Sequence, residues 1–450
     1  MPNPVLLLHG YSDRGDSFQK WKHVLVQSGF DARSVFVGNY KTLTNDITIK
    51  DLAEGLDRAL RAQPGLDHDE PFDAIVHSTG MLVVRAWLTA YSARKNRLKR
   101  LIGLAPATFG SPLAHKGRSW LGAMFKGNRD IFSPDFLEAG DQVLDALELG
   151  SRFTWDLAHL DMLGDEQFYG EDRRTPYVFI FCGTKGYTGL ASVVNEPGTD
   201  GTVRWAGCAL NTRKVVLDLT HDPALARPED RIRIADWTNV DIPLTPIDKL
   251  NHGTIVSDPS PLLVDLALDA LRVSSKAAFR DWSADARART RAARDAMAGW
   301  QQFVIRAVDE RGDPIPDYNV ELETPAFSIF RPGGRRKIEL HVHPYSGDKS
   351  LRCFHLNASE LLDRKPAKLE LRVIASSGTR LVGYHGFVEP GPQGAGGAIW
   401  DARLDITPLI QHAEMDLFYP HTTTLLELRL NREPLPLDAT RFPELFAFMG

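Results

Sequence analysis

The sequence predicts an α/β domain, a mostly parallel sheet with helices on both faces and a helical lid insertion, followed by an all-β, sandwich-like domain. Three observations carry this. Strand and helix signals alternate over roughly the first 300 residues. Early strands such as Val5–Leu8 are continuously apolar, as strands covered on both faces are. After Trp300 the texture changes to short alternating strands divided by turn clusters, the pattern of a sandwich. The chain has 450 residues, more than one core normally serves, so two domains are expected, over 1–299 and 300–450.

The elements follow in order. Val5–Leu8 is a strand ending in His9-Gly10-Tyr11, with a helix over 16–28 after it. Ser34–Val37 is a second strand, and Ile49–Arg61 a helix with Leu52, Leu56 and Leu60 at helical spacing. Ala74–His77 is the third strand, followed by Ser78 and a helix over 79–92. Leu98–Leu104 is the fourth. Residues 108–175 interrupt the alternation with Trp120, Phe125, Phe132, Phe136, Phe153, Trp155 and Phe168, and are expected to form the insertion, a lid or acyl-pocket wall. Tyr177–Cys182 resumes the sheet, and Ile242–Leu250 holds its last strand. A capped helix follows over Leu262–Arg272, and a solvated Arg/Ala-rich one over 284–298. In the second domain, strands are expected at Gln302–Val308, Val320–Glu323, Ile338–His343, Leu351–Leu356, Leu369–Ala375, Leu381–Phe387 and Thr423–Leu430.

Composition excludes several classes. The chain is 43% apolar and 25% charged, with a formal charge of −5 and both signs interspersed. That is a globular composition with no nucleic-acid footprint. The three cysteines are too scattered for a disulfide framework or a metal set. No spacing reads as a calcium loop; no cofactor is expected, no metal ligand is singled out, and metal dependence is left open. No run approaches the ~20 apolar residues of a membrane span. No secretory signal is visible, so a cytoplasmic location is expected, with a mature form or leaderless export as the alternatives.

The chemistry centres on Ser78. A short apolar strand meets this serine, Gly80 follows two positions on, and a helix begins. Such a junction exposes the hydroxyl at a tight turn with backbone N–H groups facing what it attacks. The Leu8-His9-Gly10-Tyr11 turn leaves the Tyr11 N–H free, and with the Thr79 N–H it makes a two-donor oxyanion hole. His9 is expected to shape the turn. A serine needs a base. Of 14 histidines, His252 sits in a loop between the last strand and the last helix, at the same sheet edge as Ser78; His221 is the second choice. His77 is expected to point away from the serine. The acid is expected at Asp200, in the loop Pro197-Gly198-Thr199-Asp200-Gly201, with Glu196 and Asp222 as fallbacks.

Taken together, His9-Gly10-Tyr11, Val76-His77-Ser78-Thr79-Gly80, Thr199-Asp200-Gly201 and Asn251-His252-Gly253 resemble the oxyanion loop, nucleophile elbow, acid loop and base loop of α/β-hydrolases of the lipase and esterase type. The resemblance covers roughly residues 4–275 and implies a Ser78–His252–Asp200 triad. Two positions depart from the family's elbow: Val76 stands where a first glycine is usual, and Met81 where a further one often follows. A slightly wider strand–helix angle is expected to accommodate Val76. The implied activity is hydrolysis of carboxylic esters with apolar acyl groups, lipids included, through an acyl-enzyme. The alternatives are a phospholipase, perhaps a delivered effector whose β domain binds membrane or a partner, and a non-catalytic binding protein on the same fold. The substrate is thus an ester or lipid, with lipid-surface contact a further prospect; oligomeric state is open.

Overall fold

The computed structural model describes residues 2–9, 16–35, 46–67, 69–91, 96–114, 141–170, 174–235, 241–325, 334–391, 397–411 and 417–435. The chain divides into two compact units. The first is Met1–Thr212, Trp237–Ala298 and His421–Thr423; the second is Arg213–Asp236, Gly299–Pro420 and Thr424–Gly450. This differs from a single cut at 299/300 in two places. Residues 213–236 join the second unit, and 421–423 join the first. A strand pairs with whichever sheet has an open edge, however far away in sequence that sheet lies, so linear texture misses such exchanges.

The first unit is built on strands β1 (Val5–Leu8), β2 (Ala32–Val35), β3 (Phe72–His77), β4 (Leu98–Leu104) and β5 (Tyr177–Gly183). β6 (Thr212–Asp218) and β7 (Ile232–Ile234) belong to the other sheet system, and β8 (Leu244–Ile247) closes the first. The sheet order is β2-β1-β3-β4-β5-β8, and every pairing is parallel. Successive side chains take opposite faces. Val5 and Leu7 join Ile75, Ile102, Phe179 and Phe181 in one core. Helices α1 (Gln19–Gln27), α8 (Pro261–Ala270) and α9 (Lys276–Arg289) cover that face through Trp21, Leu266, Phe279 and Trp282. The opposite face carries α2 (Ile49–Ala62) and α3 (Gly80–Ala90), where Trp87 stands edge-on to Phe72 with centroids 5.7 Å apart. Each such ring or leucine, fully buried, contributes ~1.5–3 kcal/mol. Thr48 and Asp51 close α2 with a reciprocal capping box.

The insertion is described only in part. Trp120, Phe125, Phe132 and Phe136 lie outside the described residues. The described part holds α4 (Asp141–Leu147) and α5 (Arg152–Asp161). Trp155 and Phe168 are buried, so these two aromatics serve packing rather than an open pocket wall. Among the described residues no helix is long and apolar enough to cross a membrane.

The second unit is two sheets. Strands β9 (Trp300–Asp309), β10 (Tyr318–Pro325), β11 (Arg335–Lys337), β12 (His341–Pro344), β13 (Leu351–Asn357), β14 (Glu370–Ser376), β15 (Val382–His385), β16 (Ile399–Asp405) and β17 (Thr423–Pro434) form them with β6 and β7. One sheet runs β11-β10-β14-β16. The other runs β12-β13-β9-β17-β6-β7, with β15 also paired to β17. Phe303, Ile305, Val215 and Leu217 of one meet Val320, Leu322, Val373 and Ala375 of the other in a shared core.

Candidate active site

The site lies where β3, β5 and β8 end. Ser78 follows β3 with φ 52°, a left-handed conformation that costs a non-glycine residue ~1–3 kcal/mol. Neighbouring bonds hold it there. The Ser78 N–H donates to the Leu104 carbonyl at 3.3 Å, and the Ser78 carbonyl accepts from Met81 and Ala107 at 3.2 and 3.1 Å. Gly80 is required by contact: a Cβ there would lie 2.9 Å from the Leu8 carbonyl oxygen. One of the two departures from the usual elbow, Met81, is absorbed on β4. Gly103 pairs with Val76, and a Cβ on Gly103 would meet Met81 Cε at 2.8 Å. The missing side chain at 103 makes the room that Met81 takes up.

The base loop is placed by β5. A Cβ on Gly183 would stand 2.3 Å from the Leu250 carbonyl oxygen, and the same oxygen accepts from the Lys185 N–H at 3.0 Å. Lys249 takes φ 64° to make the turn. Asn251 Oδ1 then accepts from the N–H groups of Gly253 and Thr254 at 3.0 and 2.9 Å, which starts α7 (Thr254–Ser257) and leaves His252 at its mouth. The acid loop turns at Gly198 (φ 70°) and Gly201 (φ 100°). Asp200 Oδ1 accepts from the Thr202 and Val203 N–H groups at 3.0 and 2.8 Å, so one carboxylate oxygen is anchored and the other is aimed. α6 (Trp205–Cys208) follows at once, its Trp205 Nε1–H donating to the Gly183 carbonyl at 3.0 Å.

These loops bring Ser78, His252 and Asp200 into one row. His252 Nε2 lies 3.1 Å from Ser78 Oγ, and His252 Nδ1 lies 3.0 Å from Asp200 Oδ2. Asp200 and His252 are fully buried and Ser78 is 4% exposed. A carboxylate only accepts, so Nδ1 carries the proton and Nε2 is left to accept from the serine hydroxyl. The His252 N–H also donates to the Asp200 carbonyl at 3.0 Å. An alcohol in this position can give its proton to the imidazole as it attacks a carbonyl.

Of the oxyanion donors, Thr79 is buried as the N-cap of α3, where first-turn N–H groups have no intrahelical partner. Tyr11 lies outside the described residues. His9 is buried. The second choices are placed otherwise. His221 is exposed and, with Asp222, belongs to the second unit, while Glu196 pairs with Arg204 at 3.1 Å. No group of three or more metal-ligating side chains occurs among the described residues.

Two features escaped the sequence reading. His77 reaches back to the base: its Nε2 lies 3.0 Å from the His252 carbonyl oxygen. Burial, with His252 close by, holds its pKa well below the usual histidine value. Arg85 of α3 is fully buried and forks onto Asp161 of α5 at 2.7 and 3.0 Å; Tyr169 donates to the same carboxylate at 2.6 Å. A charged residue inside an otherwise apolar helix, Met81 to Trp87, was the signal available for this pair.

No family model matches the sequence, and no curated protein matches it. Among solved structures the chain is similar to the phospholipase PlaB from Legionella pneumophila, with a TM-score of 0.74 and 21% identity over 99% of this chain and 97% of that one. The same values hold for PlaB in complex with thio-NAD. The mature lipase BlEst2 of Bacillus licheniformis aligns at a TM-score of 0.37 and 16% identity, over 59% of this chain and 91% of that one. At 21% identity the full-length likeness is one of fold. With the parallel sheet, the strained serine turn and the two loops that meet it, the chain has an α/β-hydrolase fold with a second, mainly β unit.

Proposed function

We propose that this protein hydrolyses carboxylic esters with apolar acyl groups, with Ser78 as nucleophile, His252 as base and Asp200 as the group that orients it. The observation that carries the reading is the buried row from Ser78 Oγ through His252 to Asp200, with links of 3.1 and 3.0 Å. In this mechanism His252 takes the hydroxyl proton as Oγ attacks the carbonyl, and the Thr79 and Tyr11 N–H groups hold the oxyanion. His252 then protonates the departing alcohol, and water repeats the sequence on the acyl-enzyme. One oxyanion donor contributes ~3–4 kcal/mol to such a transition state.

Phospholipids are the second reading of the substrate, favoured by the likeness to a phospholipase across both units. Contact with a lipid surface would accompany it. Two experiments test the whole. A fluorophosphonate probe is expected to label the wild type at Ser78 and to leave Ser78→Ala unlabelled. A p-nitrophenyl ester series of rising chain length, run beside phosphatidylcholine and triglyceride, is expected to favour longer acyl groups. Absence of labelling in folded wild type would refute the hydrolase reading.

A further inference from the structure

We propose that His77, the residue before the nucleophile, is a positioning residue for the base: its Nε2–H donates to the His252 carbonyl and fixes the imidazole's distance from Ser78. This rests on the serine-hydrolase reading above.

The geometry carries it. A carbonyl oxygen only accepts, so the 3.0 Å contact to His252 puts the His77 proton on Nε2. The rings of His77 and His252 lie 4.6 Å apart, tilted by 45°. His77 is 3% exposed and its Nδ1 is buried without a hydrogen-bond partner. Protonation there would create an unsolvated cation against the base, and burial accordingly drives the His77 pKa down.

The consequence concerns the backbone at position 252. Its N–H is committed to the Asp200 carbonyl at 3.0 Å, and its carbonyl to His77. The base is therefore pinned on one side by the acid loop and on the other by the strand that carries the nucleophile. His77 and Ser78 are adjacent in sequence, so any movement of the elbow carries the base with it. Losing the His77 bond frees one side of that mount. A shift of ~1 Å in such a group costs on the order of 100-fold in rate.

The test uses the full chain with His77→Gln and His77→Met. Gln keeps an N–H the same number of bonds from Cα as Nε2; Met has similar length and no donor. His77→Met is expected to lower kcat on a p-nitrophenyl ester and the fluorophosphonate labelling rate by roughly 10–100-fold, with KM nearly unchanged. His77→Gln is expected to recover most of both. In wild type, nitrogen NMR is expected to show Nε2 protonated and Nδ1 bare from pH 5 to 9. Labelling of His77→Met at the wild-type rate, a folded His77→Gln variant no faster than Met, or an Nδ1–H tautomer in wild type would each overturn the proposal. Should His77→Met fail to fold, the wild-type tautomer and the His77→Gln rate decide it. A wild type that takes no label refutes the parent reading instead, so the two failures are distinct.

Discussion

The two units place their polar groups differently. In the first, Ser78, Asp200, His252, Arg85 and Asp161 are all at most 4% exposed and are held by hydrogen bonds to one another, to Tyr169 and to backbone. Three of the four described left-handed non-glycine residues of the first unit stand at one edge of the parallel sheet: Ser78, Ala105 and Lys249 follow β3, β4 and β8 with φ of 52°, 44° and 64°, and His421 is the fourth. In the second, the core shared by the two sheets is mainly apolar, with Gln301 buried and bonded to the Leu417 carbonyl and the Tyr419 N–H. This core encloses a cavity of about 60 Å³ lined by side chains such as Phe303, Phe354, Leu409 and Phe418. A cluster of its ion pairs runs across the other face of the four-stranded sheet, Arg372 with Asp401 and Glu321, and Arg403 with the buried Glu323. In the second unit the described left-handed non-glycine residue is Lys365, which only ends a helix. Strain costs stability, and the three strained residues of the parallel sheet stand at the edge where Ser78, His252 and Asp200 meet, which supports the site proposed above.

The strongest break of this contrast is at Ser78. Ser78→Ala is expected to lower ester hydrolysis by about 10⁵–10⁶-fold while the protein stays folded. Ser78→Gly should be as inactive and more stable than wild type by ~1 kcal/mol, because glycine adopts φ 52° without a Cβ penalty. Activity assays and urea melts of the three proteins measure both effects. A loss of stability in Ser78→Gly would mean the elbow is not strained.

The next effect separates buried from exposed ion pairs. Arg85→Met leaves the Asp161 carboxylate buried without its cation. It is expected to destabilise by about 3–5 kcal/mol, read by denaturant unfolding. The double variant Arg85→Met/Asp161→Leu should recover most of the loss, since two apolar side chains of similar volume need no partner. If the double variant is no better than the single one, the pair contributes something packing cannot replace.

The same contrast explains what the sequence made legible. The loops around Ser78, Asp200 and His252 were readable because strand–turn–helix junctions leave short-range marks: apolar runs, glycines at 80, 198 and 201, and chain order. The role of Gly103 was not, because it makes room for Met81 from a neighbouring strand. β16 was missed although Ile399 to Asp405 alternates apolar and charged residues, as a strand with one face to solvent does. β6 and β7 were missed because they leave the first unit's stretch of chain to pair in the second. His77 was read as pointing away from the serine; its reach to the His252 backbone depends on how the base loop returns. The segment 421–423 in the first unit was equally invisible, since Thr423 Oγ1 donates to the Ala206 carbonyl at 2.9 Å across more than 200 residues. A chain cut after 299 therefore loses a brace of the helix that follows Asp200.

A smaller effect is titrated by that segment. His421 sits at φ 62° against Trp205 with an unpartnered Nδ1, and burial, aided by Arg294, lowers its pKa to about 4. The unfolded chain binds this proton below about pH 6.5 and the folded chain only below about 4, so stability falls as pH drops through that window and levels off beneath it. The loss attributable to His421 is up to about 3 kcal/mol. His421→Asn suits the left-handed backbone and carries no titrating ring. Urea melts from pH 7 to 4 are expected to show a shallower decline in this variant, and an unchanged decline would assign the acid sensitivity elsewhere, His77 first.

The smallest effect belongs to the second unit. Arg372 bridges Asp401 and Glu321 on a partly exposed sheet face, where water and salt screen the charges and the strands are held by backbone ladders. Arg372→Met is expected to cost about 1 kcal/mol or less, and less still at high salt. Set beside Arg85→Met, this isolates burial as the variable, because both arginines face carboxylates bidentately. Equal losses for the two would mean the Arg372 ladder acts as a cooperative network, and the distinction drawn between the units would then rest on strain alone.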